Sequence, residues 1–356
     1  MKHMKISPVF LLAMVLLVTS FPALAGKQEY TKKKEISQNY KVSATDLLQV
    51  DNRFGNITVT HWNRNEVAIR VEIESKSNSE SRAQENLDAV RIEIKKSGST
   101  VSAVTNIREK TSWGNSNNER LTINYFISMP SKLTSDLSQK YGNINLPDRN
   151  DGKCSVHVKY GNLNAGDFTA ELRLEAKYGN IDMGNLQTAY LDLGYVGSMI
   201  CKDARSVFID SKYSNLEMKN VQRMELDKKY GNLSVGSLDQ AEMEVKYSEI
   251  SVDRLKESLD VDGLDYSTLS IKEVSSTFNR INVEGRYGNL KLKISPKASF
   301  KVLAEDMKYG NYDIKGFNIT DFSKEDNTFR SEINGGGTRR INFEGNNYSN
   351  LTIRAL

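Results

Sequence analysis

A short motif, Tyr-Gly-Asn followed by an apolar residue, recurs through residues 141–350 of this chain. Close copies begin at Tyr141, Tyr160, Tyr178, Tyr230, Tyr287 and Tyr309, and looser ones at Tyr195, Tyr213, Tyr247, Tyr266 and Tyr348. From 141 to 309 the tyrosines are 17 to 22 residues apart, and the last step of 39 residues is close to two repeats. Such a period is typical of a solenoid, whose coils bury their apolar faces only by stacking on one another.

The apolar residues around each tyrosine predict short strands with one buried face. Around Tyr247 they alternate before the motif and resume three residues after it, as Ala241, Met243 and Val245, then Ile250 and Val252. Alternation is the signature of a strand, and its interruption at Gly-Asn indicates a corner, because both residue types tolerate left-handed backbone. A third apolar position follows at Leu255. We therefore predict an all-β fold, a right-handed parallel β-solenoid of about 18-residue coils.

Stacked coils place equivalent side chains in columns, about 4.8 Å apart. When the alternation is continued through each tyrosine, its side chain falls on the inward face of the strand. We therefore predict an internal aromatic stack with an asparagine ladder beside it at the corner. An outward tyrosine stripe that grips carbohydrate is the alternative. The predicted ladder residues are Tyr141, Tyr160, Tyr178, Tyr213, Tyr230 and Tyr247, with Asn143, Asn162, Asn180, Asn215 and Asn232.

The outward face of the repeat carries two charged columns. A cation precedes most of the tyrosines, and an acid stands two residues earlier in seven copies, for example Asp227 before Lys229. Neighbouring columns of opposite sign form a self-neutralising charge lattice that discourages aggregation. The alternative is an array that binds a charged polymer or divalent cations. The candidate polymer-binding residues are Lys140, Lys159, Lys177, Lys212, Lys229 and Lys246.

The remaining segments define the predicted domain boundaries. Residues 1–25 read as a signal peptide, with a basic start, an apolar stretch and the cleavage pattern Ala23-Leu24-Ala25. Residues 26–136 do not follow the repeat and predict a β-rich cap with a short helix near 79–89. Residues 137–356 form the solenoid, and 317–345, with three consecutive glycines, read as an atypical coil that carries a hairpin.

The composition contains few of the side chains that catalysis or metal binding requires. A net charge of +4 gives no basic footprint for nucleic acid, and two cysteines with three histidines leave little for a metal site or a catalytic dyad. Cys154 and Cys201 occupy different columns, which predicts that they do not pair. The copy at Gly194-Tyr195 loses both the lysine and the asparagine, and we read it as drift. No enzyme activity, metal or cofactor is expected.

With its signal peptide, the segment Asp51–Ile57 and the Tyr-Gly-Asn corners, the chain resembles the bacterial exported "putative adhesin" families over roughly residues 40–356. That resemblance implies an exported β-solenoid. We interpret the chain as a non-catalytic cell-envelope protein, an adhesin-like scaffold or binding module in the periplasm, on the outer surface or outside the cell. A polysaccharide-acting β-helix enzyme and a periplasmic sensor or accessory subunit are the alternatives. Glycans or another envelope protein are the expected partners, and the oligomeric state stays open.

Overall fold

The computed structural model describes residues 29–108 and 119–356, so the predicted signal peptide lies outside the described residues. The chain folds as a β-solenoid, as the repeat predicts. The elements of its first part are β1 (Tyr30–Lys41), β2 (Leu47–Arg53), β3 (Ile57–His61), β4 (Glu66–Ser77), α1 (Glu80–Asp88), β5 (Val90–Ser97), β6 (Thr100–Ile107) and β7 (Arg120–Met129).

The regular coils follow, and their strands pair in parallel with the coil before and the coil after. Their strands are β8 (Thr134–Lys140), β9 (Ile144–Asn145), β10 (Arg149–Asn150), β11 (Cys154–Lys159), β12 (Leu163–Asn164), β13 (Asp167–Met183), β14 (Leu186–Lys212), β15 (Leu216–Asp265), β16 (Thr268–Val274), β17 (Arg280–Arg286) and β18 (Asn289–Ile294). Strand β11 lies between β8 and β13, and its Val156 pairs with Leu137 on one side and Leu174 on the other. Equivalent apolar residues therefore form continuous columns, which line the interior.

The C-terminal part turns back on itself. It contains β19 (Phe300–Glu305), β20 (Tyr312–Lys315), β21 (Ile319–Glu325), β22 (Thr328–Ile333), β23 (Arg340–Glu344) and β24 (Asn350–Ala355). Strand β23 lies between β17 and β19, and β24 lies between β18 and β20. The last coil in sequence is thus intercalated between two earlier coils.

The N-terminal end has the same kind of intercalation. Strand β2 lies between β6 and β8, and β3 lies between β7 and β9, all in parallel. A coil formed by β2 and β3 therefore belongs to the stack, although it lies within residues 26–136. At each end, an intercalated coil joins segments that are distant in sequence.

Antiparallel strands cover the ends of the stack. Strand β4 pairs antiparallel with β7, β5 pairs with β6, and β22 pairs with β19. The helix α1 lies within the stretch predicted as helical and buries Ala83 and Leu87. Strands that would otherwise present open edges to solvent are thereby paired, which limits edge-to-edge aggregation.

Candidate functional site

The tyrosines of the repeat are the most prominent surface feature, and their predicted place in the core is wrong. Each of the eleven is exposed, with relative accessibilities from 39% at Tyr287 to 57% at Tyr309. The physical reason is the backbone: ten of the eleven have left-handed φ angles, between 49° and 61°. A left-handed residue breaks the alternation of a strand, so the side chain that parity places inside turns outward.

The rings nevertheless form one continuous column, which we call the tyrosine stripe. It runs from Phe54 through Tyr141 to Tyr287, then through Tyr348 to Tyr309, following the spatial order of the coils. Neighbouring centroids are 4.6 to 5.6 Å apart with interplanar angles of 3° to 20°. Each internal ring has a neighbour on both faces, so the stripe presents ring edges and hydroxyls to solvent.

The stacking supports a backbone conformation that is costly for tyrosine. A left-handed residue with a side chain costs about 1–2 kcal/mol. Stacked aromatic pairs contribute about 0.5–1.5 kcal/mol each, which is of the same order. The column of rings and the column of strained corners therefore depend on each other.

The asparagines form a ladder from side chain to backbone. The side-chain oxygen of Asn143 accepts the backbone N–H of Asn162 at 2.9 Å, and that of Asn162 accepts the N–H of Asn180 at 2.8 Å. The Oδ1 of Asn215 accepts the N–H of Asn232 at 3.1 Å. Each bond ties one corner to the next coil and satisfies an amide that the corner leaves outside the strand ladder.

Glycine follows most of the tyrosines because the coils approach closely there. A methyl group at Gly161 would overlap the carbonyl oxygen of Gly142, and one at Gly179 would overlap that of Gly161. Among the glycines of the described corners, Gly231 has a positive φ, of 106°. Close approach, rather than the left-handed backbone that the sequence suggested, is therefore the main requirement at this position.

The predicted lysine column borders the tyrosine stripe, and its members differ in their partners. Four lie beside the acid two residues earlier: Lys177 at 2.7 Å from Glu175, Lys212 and Lys229 each at 3.4 Å from Asp210 and Asp227, and Lys246 against Glu244. This is the arrangement of a charge lattice. The other two, Lys140 and Lys159, lie 5.0 and 5.4 Å from the centroids of Tyr141 and Tyr160.

A groove on the same face was not predicted from the sequence. It has a volume of about 510 Å³ and is lined in part by Tyr190 and Phe208, whose rings stack at 4.8 Å. Tyr190 and Phe208 stand in the same outward column, five residues before Tyr195 and Tyr213. The signal in the sequence was a pair of aromatics at equivalent positions of adjacent copies, next to the irregular Gly194.

The groups with potential for chemistry lie in ordinary structural settings. Cys154 and Cys201 are free thiols, and burial raises their pKa to about 11 and about 12, so both stay protonated at neutral pH. His157 lies on the surface, 3.3 Å from Glu175. Burial lowers the pKa of His61. Within residues 29–108 and 119–356, no three His, Cys, Asp or Glu side chains gather as metal ligands.

The part of the chain that the structure describes has no helix long and apolar enough to cross a membrane. No family model matches the chain, and no curated protein does.

The chain is similar to several solved bacterial structures at 11–12% identity. A "putative cell adhesion protein" from Clostridium sporogenes is 11% identical, covering 91% of this chain and 100% of its own, with a TM-score of 0.21. A "putative adhesin" from Bacteroides fragilis is 12% identical, covering 91% and 97%, with a TM-score of 0.28. A "putative lipid binding protein" from Parabacteroides distasonis is 12% identical, covering 89% and 96%, with a TM-score of 0.30.

Proposed function

We propose that this protein is a non-catalytic, exported binding module of the cell envelope that holds an extended polysaccharide along the tyrosine stripe. The observation that carries the proposal is the exposed column of stacked tyrosines, which continues from coil to coil along the solenoid. A regular, linear surface suits a regular, linear ligand. Many weak contacts in register can together give useful affinity, because each bound unit raises the effective concentration of the next.

The mode of contact follows from the stacking. Because the ring faces of Tyr160 and Tyr178 are covered by their neighbours, a sugar ring cannot lie flat on them. Their hydroxyls and ring edges remain exposed, and a phenol hydroxyl both donates and accepts hydrogen bonds. The stripe is therefore suited to hydrogen bonding with the hydroxyl groups of a polysaccharide that runs parallel to it.

The lysine column plays a secondary part in this proposal. Since Lys177, Lys212, Lys229 and Lys246 are paired with acids, they contribute little net attraction to an anionic polymer. Lys140 and Lys159, which have Ser138 and His157 rather than an acid two residues earlier, are the members best placed to contact an acidic group on the ligand. Strong salt dependence would accompany such contacts.

Export is part of the proposal and has its own test. Cleavage after Ala25 gives a mature chain that begins at Gly26. N-terminal sequencing of protein purified from the cell envelope should find that terminus. A mature form that still begins at Met1 contradicts export by a cleaved signal.

The binding experiment uses immobilised alginate, dextran and chitosan as anionic, neutral and cationic linear polysaccharides. We expect the mature chain to be retained by at least one of them. The triple variant Tyr160→Phe, Tyr178→Phe, Tyr195→Phe keeps the stacked rings and removes three hydroxyls, and its affinity should fall about tenfold or more, at about 0.5–1.5 kcal/mol per hydrogen bond. The control, Tyr30→Phe, removes a hydroxyl from β1, outside the stripe.

Two outcomes would overturn the proposal. One is that none of the three polysaccharides retains the mature chain. The other is that the triple variant binds as tightly as the native chain while melting at the same temperature, since the hydroxyls would then take no part in binding.

A further inference from the structure

The groove at Tyr190 and Phe208 departs from the repeat in three ways at once. It carries two aromatic rings where neighbouring copies of the same column have Ser155, Arg173 and Glu225. It lies beside Gly194, which replaces the lysine of the neighbouring coils. Its volume of about 510 Å³ falls in the range of small-ligand sites. A local departure from a regular surface is what a specific subsite requires.

The aromatic pair has one covered end and one open end. The guanidinium of Arg173 lies 4.7 Å from the centroid of Tyr190, and the other face of that ring stacks on Phe208 at 4.8 Å. On its far side, Phe208 is paired with Glu225 of the next coil rather than with another ring. One aromatic face therefore borders a carboxylate, a combination that attracts a cation.

The charges of the groove also favour a cation. Five carboxylates line it, and three of them, Glu175, Asp210 and Asp227, are paired with lysines two residues later. Asp192 has no such lysine, because Gly194 occupies that position. The Lys177 ammonium acts on Asp192 from a distance but already binds Glu175.

Glu225 is exposed and forms no ion pair with any residue in the described ranges. The two carboxylates without a close partner thus adjoin different members of the aromatic pair. Asp192 follows Tyr190 by two residues on the same face of one strand, and Glu225 adjoins Phe208 on the next coil.

We propose that this groove binds the protonated amino group of a hexosamine unit, with the ammonium over Phe208 and beside Glu225, and with Asp192 adding negative charge at the Tyr190 end of the aromatic pair. This inference rests on the proposed function and names the sugar that the same face selects. The groove lies on the outward side of the strands that lead into the corners, in a column that runs parallel to the tyrosine stripe five residues before it. Ser155 and His157, which contact each other at 3.2 Å at one end of the groove, offer further partners for sugar hydroxyls.

The test compares two oligosaccharides of equal length by titration calorimetry. A short chitosan oligosaccharide carries free amines, whereas the matching chitin oligosaccharide has the same backbone with each amine acetylated and uncharged. We expect the native chain to bind the chitosan oligosaccharide at least about tenfold more tightly, since the ammonium supplies the cation–π contact and the charged hydrogen bonds.

Variants locate the binding. The double variant Asp192→Asn, Glu225→Gln keeps the shape of both side chains and should weaken chitosan binding about tenfold. Phe208→Leu should weaken it as well, and melting curves of both variants confirm that they are folded. The control Glu217→Gln removes an exposed carboxylate from the strand after the corner and should leave binding unchanged.

The outcomes separate this inference from the proposed function. The triple Tyr→Phe variant of the stripe should bind the short oligosaccharide as the native chain does, because the groove is intact. Equal affinity for the acetylated and free-amine sugars, or an unchanged affinity in the folded double variant, would overturn the inference. So would tighter binding of an arginine-rich peptide than of the chitosan oligosaccharide, since the occupant would then be a polypeptide.

Discussion

Replacing Lys228 with methionine should stabilise this protein at neutral pH. The Lys228 side chain is fully buried inside the solenoid, and its Nζ donates a hydrogen bond to the carbonyl oxygen of Ser214 at 2.7 Å. Ser211 of the neighbouring coil is 3.5 Å away. Burial lowers the pKa of Lys228 from 10.5 to about 8.

The magnitude follows from that shift. Each pKa unit corresponds to 1.36 kcal/mol, so holding the charge inside the fold costs on the order of 3 kcal/mol. Methionine removes this cost and leaves the Ser214 carbonyl without its donor, which costs about 1 kcal/mol. We therefore expect Lys228→Met to raise the free energy of unfolding by about 2 kcal/mol at neutral pH.

The pH dependence gives the sharper test. Below pH 8 the amine is protonated in both the folded and the unfolded chain, and the full cost is present. Between pH 8 and 10.5 the unfolded chain binds more protons than the folded chain, so the stability contributed by this residue rises with pH. The advantage of Lys228→Met over the native chain should therefore shrink across that interval.

Urea unfolding of both chains at a series of pH values measures the difference. Lys229→Met, which removes a surface amine paired with Asp227, is the matched control for the lysine-to-methionine change. A Lys228→Met chain that is less stable at neutral pH, or whose difference from the native chain does not change between pH 8 and 10.5, would refute the reasoning.

Three further predictions concern the corners and the thiols. Gly161→Ala should lower the free energy of unfolding by about 2–3 kcal/mol, because the methyl group meets the backbone of the adjacent coil. Gly194→Ala should be milder, because its methyl group would meet only the Lys177 side chain, and equal losses in chemical unfolding would contradict this. Tyr230→Ala should lower the free energy of unfolding by about 1–3 kcal/mol, because it removes two stacked ring contacts, and Tyr230→Phe should lower it far less. A loss of about 3–5 kcal/mol in Tyr230→Ala would instead indicate that the ring is part of the core. Cys154 and Cys201 should resist a thiol reagent in the native chain, because both are buried, and both should react after denaturation without reductant. Recovery of a chain with a disulfide between them would contradict the assignment of free thiols.

Much of this fold can be predicted from the local sequence. The period, the alternating apolar residues and the glycines depend on interactions between equivalent positions, so a repeating sequence reveals them. The pairing of Lys229 with Asp227 was also accessible, because two residues on one face of a strand are neighbours in any sheet. For these features, position within the repeat determines the environment.

The outward direction of the tyrosine side chains could not be predicted in this way. The alternation of inward and outward side chains holds only along a continuous strand, and Tyr230 interrupts it with a left-handed φ of 60°. The stacked rings of the neighbouring coils and the contacts of the corner stabilise that conformation. The sequence located the corner correctly within Tyr-Gly-Asn and assigned the left-handed residue wrongly. Stacking between coils decides this, and it is a tertiary interaction.

The sequence by itself determined that this protein is a stack of short-stranded coils, each with one tyrosine corner at which glycine and asparagine usually follow. Only the tertiary structure decided that the tyrosines face solvent and that the end coils are intercalated. Only it showed the aromatic groove, because Tyr190 and Phe208 are 18 residues apart and meet when one coil lies on the next. Contacts within a coil are encoded in neighbouring residues, whereas contacts between coils depend on register and backbone conformation, which exist once the chain has folded.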